Sequence, residues 1–216
     1  MNSRFVYSLF FGLLFGGLLF GQEQQTTGEY SVSPKFGIKG GINLSNLYVD
    51  DVEDENLKVG LNIGLLAKIP VTRGLSIQPE LLFSSKGSKI KYNNLLSTGE
   101  YRFNLNYMEV PVLAVINLAK NFNLHGGGYF AYMASANVKD VDNEGNTNSI
   151  TELNSEDFNR FDYGLVGGFG VDVQNFTIGA RYNYGLNEVG DAGSLGGQLL
   201  QNAKNSALTL YIGFGF

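Results

Sequence analysis

Residues 57–69 read Leu57-Lys58-Val59-Gly60-Leu61-Asn62-Ile63-Gly64-Leu65-Leu66-Ala67-Lys68-Ile69. Apolar side chains hold every odd position, while Lys58, Gly60, Asn62, Gly64, Leu66 and Lys68 fill the even ones. A period of two sorts the two sets onto opposite faces of a β-strand, and no helix has that repeat. The same alternation recurs over 36–44, 75–86, 108–118, 122–135, 161–173, 176–186 and 208–216, which predicts eight strands. The phase before Tyr107 is ambiguous and suggests a bulge.

The connections between these segments alternate in length. Residues 70–74, 119–121 and 174–175 are short, whereas 48–56, about 87–100, 139–160 and 187–204 are long. Outer-membrane barrels have short periplasmic turns and long outer loops. The expected fold is therefore all-β: an eight-stranded, antiparallel, up-and-down transmembrane β-barrel with both termini on the periplasmic side. A secreted soluble barrel is the competing reading, and the charges choose between the two. Lys39, Lys58, Lys68, Lys86 and Arg181 share the polar parity with Glu80, Glu109, Asp162 and Asp172. The apolar parity of the strand cores has almost no charge, as a lipid-facing wall requires, since a base at mid-depth costs about 2–4 kcal/mol. Five bases and four acids form a set that can pair across a narrow, side-chain-filled lumen. Of sixteen glycines in the predicted strands, twelve fall on the polar parity, among them Gly64, Gly127 and Gly168, leaving room for those long chains. Phe36, Phe122, Phe176 and Phe216 at one set of strand ends, with Tyr163 and Tyr184 toward the other, occupy girdle positions.

Ahead of the barrel, residues 1–21 carry Arg4 and an apolar run from Phe5 to Phe20 that stops at Gln22-Glu23-Gln24-Gln25. A basic start, an apolar core and a small residue before the break make a signal peptide. Gly12, Gly16 and Gly17 interrupt the run, which argues against a spanning helix. The expected organisation is a signal peptide at 1–21, a short periplasmic segment at 22–34 and the barrel domain at 35–216. Leu19, the third residue before the break, is bulkier than a cleavage site favours.

Composition narrows the chemistry. The 216 residues are 44% hydrophobic and only 16% charged, against about 25% in ordinary soluble domains. With no cysteine there is no disulfide, thiolate metal site or cysteine nucleophile, and a net charge of -5 argues against nucleic acid. His125 is the single histidine, on the lumen parity near the short turns, a poor start for a hydrolase or acyltransferase. Asp140-Val141-Asp142-Asn143-Glu144-Gly145 opens like a calcium loop, but its twelfth position is Thr151 and Glu152 comes one residue late. Asp140, Asp142 and Glu144 are thus candidate cation contacts in what otherwise reads as a solvated acidic loop. Gly126-Gly127-Gly128 and Gly167-Gly168 precede no helix, so no phosphate cradle is expected.

Several blocks carry a family resemblance. Phe36-Gly37-Ile38-Lys39-Gly40-Gly41-Ile42-Asn43-Leu44-Ser45, Gln78-Pro79-Glu80-Leu81-Leu82-Phe83-Ser84-Ser85-Lys86-Gly87 and Leu105-Asn106-Tyr107-Met108-Glu109-Val110-Pro111 resemble the PorT-type outer-membrane β-barrel family of Gram-negative bacteria. Phe161-Asp162-Tyr163-Gly164-Leu165 and Ala180-Arg181-Tyr182-Asn183-Tyr184-Gly185-Leu186 extend the likeness. The resemblance implies an outer-membrane barrel. Its namesake serves protein secretion and gliding machinery, and no catalytic residue or cofactor is implied. The expected function is non-enzymatic: a structural or interaction role, embedded in outer-membrane lipid, with segments 48–56 and 139–160 meeting a protein or surface polymer. A narrow pore or small-solute transporter is the alternative.

Overall fold

The computed structural model describes residues 33–48, 57–94, 97–142, 147–152, 159–190 and 203–215. Its strands are β1 (Lys35–Tyr48), β2 (Lys58–Pro70), β3 (Leu75–Lys86), β4 (Lys89–Asn94), β5 (Ser97–Ala119), β6 (Phe122–Asp142), β7 (Thr147–Glu152), β8 (Phe161–Val173), β9 (Phe176–Glu188) and β10 (Lys204–Gly215). Eight of them close a ring in the order β1-β2-β3-β5-β6-β8-β9-β10, every pairing antiparallel. The ring shuts where β1 meets β10, with Ile38 opposite Phe214 and Leu44 opposite Leu208. Strands of 12 residues or more exceed the 9–11 that cross a bilayer when tilted. The fold is thus an all-β, antiparallel, up-and-down barrel with a ring of eight.

The wall is apolar on the outside. Leu61, Ile63 and Leu65 are 57–64% exposed, and large apolar side chains around the whole ring are exposed with them. Lys39, Asn43, Glu80, Glu109, Asp162 and Arg181 are buried inside. This inverts the rule for soluble domains, in which lysine and glutamate are almost never fully buried. Glycine sorts the same way. A Cβ added to outward-facing Gly40 or Gly167 would meet nothing within 4 Å, whereas one on inward-facing Gly64 or Gly127 would lie 2.0 Å from a neighbouring strand's carbonyl oxygen.

Two segments expected as loops contain strand. Residues 87–100 contain β4 and the start of β5, and 139–160 contain the end of β6 and all of β7. β4 pairs with β5 and β7 with β6, while β5 and β6 pair from Ala119–Phe122 up to Gly99–Asp142. A four-stranded sheet therefore extends past the ring on the side away from the short turns. The irregularity before Tyr107 is real, but the extra residue is Ala134 of β6, between Asn106–Ser135 and Tyr107–Met133. The ambiguous phase of β5 has another cause. Its odd residues Leu105, Tyr107, Glu109 and Leu113 all face inward and are buried. Within the membrane the apolar residues point out to lipid; above it they point in, so polarity inverts while geometry continues.

Candidate functional site

Inward-facing polar residues from all eight ring strands meet in the lumen in layers. The layer nearer the short turns centres on Glu80 of β3. Arg181 of β9 donates to it twice, Nη1 to Oε2 at 2.7 Å and Nη2 to Oε1 at 2.8 Å. Lys39 Nζ of β1 donates to Oε2 at 3.3 Å and Gln78 Nε2 to Oε1 at 2.7 Å. Such a bidentate, charge-assisted fork is the strongest polar contact that side chains make. Tyr211 of β10 closes the layer, with Lys39 Nζ 4.1 Å and the Arg181 guanidinium carbon 4.7 Å from its ring centre. Gly168 and Gly179 make room: an added Cβ would fall 2.8 Å from Arg181 Cγ and 2.5 Å from the Tyr211 ring, respectively.

Arg181 also reaches His125, donating from Nε to Nε2 at 2.8 Å. An arginine cannot accept a hydrogen bond, so Nε2 is the bare nitrogen and Nδ1 carries the hydrogen toward Asn123 Oδ1 at 3.1 Å. Asn123 passes the chain on to Asp172 Oδ2 at 3.0 Å; Asp172 accepts from Thr177 at 2.6 Å and faces Lys68 Nζ at 3.8 Å. There the lumen opens toward the short turns as a cavity of about 230 Å3, lined by Lys35, Lys68, Gln78, His125, Asp172 and Tyr211 among others.

The next layer centres on Lys86 of β3. Its Nζ is 2.7 Å from Glu109 Oε2 and 4.0 Å from Asp162 Oδ2. The Lys86–Glu109 approach lacks the angle of a hydrogen bond and is a contact of charges. Asp162 Oδ2 accepts from Tyr129 OH at 3.2 Å and Asn205 Nδ2 at 3.0 Å, and Asn205 also donates to Tyr107 OH at 3.1 Å. Lys58 stands apart: its Nζ donates to the Lys86 carbonyl at 2.9 Å and Ser85 Oγ at 3.2 Å. Beyond lies an apolar layer of Leu47, Leu105, Met133, Ala136, Val189 and Ala203, all buried.

The nine charged residues singled out from the sequence thus divide into Lys39, Glu80 and Arg181; Lys86, Glu109 and Asp162; the pair Lys68 and Asp172 at the mouth; and Lys58 alone. Alternation put Gln78, Asn123, Tyr129 and Tyr211 on the lumen side without marking them as partners of these charges, and it did not reach Tyr107 or Asn205. The available signal was parity, since Tyr129 and Tyr211 stand among inward-facing glycines in β6 and β10. Asp140 and Asp142 sit in strand β6, opposite Tyr101 and Gly99, and Glu144 lies outside the described residues. Among the described residues no group of three or more His, Asp or Glu side chains is placed to hold a metal ion.

An apolar outer wall around a closed, charge-paired lumen defines a small β-barrel of the outer-membrane type. The chain belongs to the family described as "Outer membrane protein beta-barrel domain", whose model matches residues 2–190, and the outer membrane is its location. No curated protein matches it. Among solved structures it is similar to Ail, the attachment invasion locus protein of Yersinia pestis, in complex with the heparin analogue sucrose octasulfate. That match has 16% identity and a TM-score of 0.47, covering 85% of this chain and 99% of that one. It is also similar to Neisserial surface protein A, with 11% identity, 87% and 100% coverage and a TM-score of 0.44. The N-terminal β-barrel domain of Pseudomonas aeruginosa OprF gives 10% identity, 85% and 100% coverage and a TM-score of 0.39.

Proposed function

We propose that this chain is a non-conducting, non-enzymatic outer-membrane barrel whose work is done by the surface it presents outside the cell. One observation carries the reading: Glu80, gripped by Arg181, Lys39 and Gln78, blocks the middle of the lumen. Breaking a buried ion pair costs about 3–5 kcal/mol, so an ion passing this layer would have to separate partners that nothing else replaces. His125 has both ring nitrogens engaged, by Arg181 and Asn123, and is not placed as a base beside a nucleophile. PorT-type kinship, removal of residues 1–21, a periplasmic lead at 22–34 and a structural or interaction role belong to the same proposal.

The partner would be a protein or surface polymer met through segments 48–56 and 139–160. The first holds five acids and no base, and the second six acids and two bases. A polyanion such as the sulfated sugar named with Ail is a poor match to those segments, and a basic or neutral partner a better one.

A narrow pore is the second reading, favoured by the cavity at the periplasmic mouth. Conductance in planar bilayers tests the choice. Wild type is expected to be silent, with steps appearing only when Glu80→Gln and Arg181→Met together dismantle the central layer. Steady steps from wild type would overturn the proposal and favour the pore.

A further inference from the structure

Where β5 and β6 rise past the ring, their outward face changes in steps. Val110 with Phe130 and Met108 with Tyr132 are the last apolar rungs. Across β5 and β6 the next two are uncharged and hydrogen-bonded, the second ending at Glu152 of β7. Asn106 Nδ2 donates to Ser135 Oγ at 3.0 Å, and Asn104 Nδ2 donates to Asn137 Oδ1 at 2.9 Å. The following rung is basic: Lys89, Arg102 and Lys139 stand side by side across β4, β5 and β6, with exposed Ile150 of β7 beside Lys139. Directly paired residues share a face of the sheet, so this rung continues the lipid-facing wall. Glu100 contacts it, accepting from Arg102 Nε and lying 3.9 Å from Lys89 Nζ. The rung beyond pairs Lys91 of β4 with Glu100, whereas Glu152 of β7 stands opposite Asn137, one rung nearer the ring. Alternation assigns Asp140 and Asp142 to the other face. Lys58, buried at the same end of the barrel, gives its ammonium to neutral oxygens alone among the described residues.

We propose that this face binds a phosphorylated glycolipid of the outer leaflet. Its acyl chains lie against the apolar rungs, its sugars against the amide rungs and a phosphate on the Lys89–Arg102–Lys139 rung. The order of the rungs matches the order of the lipid. Six residues separate Met108 from Arg102, about 20 Å along the strand and less in height once tilt is counted. Lysine and arginine stems can bend back toward the headgroups across that distance. Basic residues grouped at a membrane surface attract anionic lipid, and here the group is fixed by strand register. The proposal rests on the orientation in which the short turns face the periplasm.

Native mass spectrometry of the purified protein, with lipid A added to the detergent, tests it. Wild type is expected to retain lipid A with its phosphates at least on the order of tenfold better than phosphatase-treated lipid A or phosphatidylethanolamine. The combined Lys89→Gln, Arg102→Gln and Lys139→Gln variant should lose that preference while keeping the heat-modifiable gel mobility of a folded barrel. Lys35→Gln, Arg73→Gln and Lys120→Gln together, at the opposite rim, should leave it intact. Equal retention of treated and untreated lipid would overturn the proposal. So would an unaltered preference in the rung variant, loss in the opposite-rim variant, or displacement by inorganic phosphate at millimolar concentration, which would mark a free-anion site.

Discussion

Glu80 is buried with two cations on it, so its removal and its neutralisation have different consequences from those of a surface acid. Glu80→Gln keeps the shape but leaves Arg181 and Lys39 facing one another without a counter-charge. The expected loss is about 3–5 kcal/mol, read from urea unfolding of the protein in lipid vesicles. Arg181→Met should cost a similar amount, because it strips Glu80 of its bidentate partner and His125 Nε2 of its donor. The double variant should cost clearly less than the two singles added, as expected for side chains in direct contact. Strict additivity would mean that the fork contributes nothing to the folded barrel. The face these residues share was legible in the sequence, because period two assigns a side. Their partnership was not, since Glu80 and Arg181 lie 101 residues apart and alternation carries no information on height or position around the ring.

At the scale of elements, the eight ring strands were legible because six of them alternate against lipid over nearly their whole length, and β5 and β6 do so over the half that lies in the ring. The protruding sheet was not. Tyr101, Phe103, Leu105 and Tyr107 alternate as cleanly as any strand, but in the phase opposite to Met108, Val110 and Val112. A reading tuned to one phase treats that inversion as a loop or a bulge. Physically it marks the exit from lipid, where burial once again favours apolar side chains. The hinge between β3 and its continuation β4 is Gly87, whose φ of 134° suits glycine alone. An added Cβ there would lie 2.0 Å from the Phe103 carbonyl oxygen. Beside it, Phe103 N donates to Ser88 O at 2.9 Å and Ser45 Oγ to Gly87 O at 3.0 Å. Gly87→Ala is therefore expected to cost about 1–3 kcal/mol, with hydrogen exchange rising over Lys89–Asn94 while the ring stays protected. Unchanged exchange in β4 would show that this junction does not depend on glycine.

Across the whole molecule the two ends of the lumen differ. One end opens as a cavity with charged and polar walls, and the other is closed by Leu47, Leu105, Met133, Ala136, Val189 and Ala203. The charges are polarised to match. Lys35, Arg73 and Lys120 are exposed at the rim bearing the short turns, whereas the strand ends that flank the acid-rich segments 48–56 and 139–160 lie at the opposite rim. A barrel of this form can exchange water and small solutes at the rim with the short turns while remaining dry at the other end. Because the chain has no cysteine, single substitutions can report on each end without background. Thr177→Cys stands at the open mouth, and Ala136→Cys and Ala203→Cys stand in the apolar layer, where both alanines are at most 5% exposed. Alanine to cysteine adds one sulfur, so neither change should unseat the layer. A small charged thiol reagent added to the folded protein should modify Thr177→Cys readily and the other two only after unfolding, since a charged group entering an apolar layer must give up its hydration. Comparable labelling at all three positions would mean that water runs through the barrel, and the closed-lumen reading would fall with it.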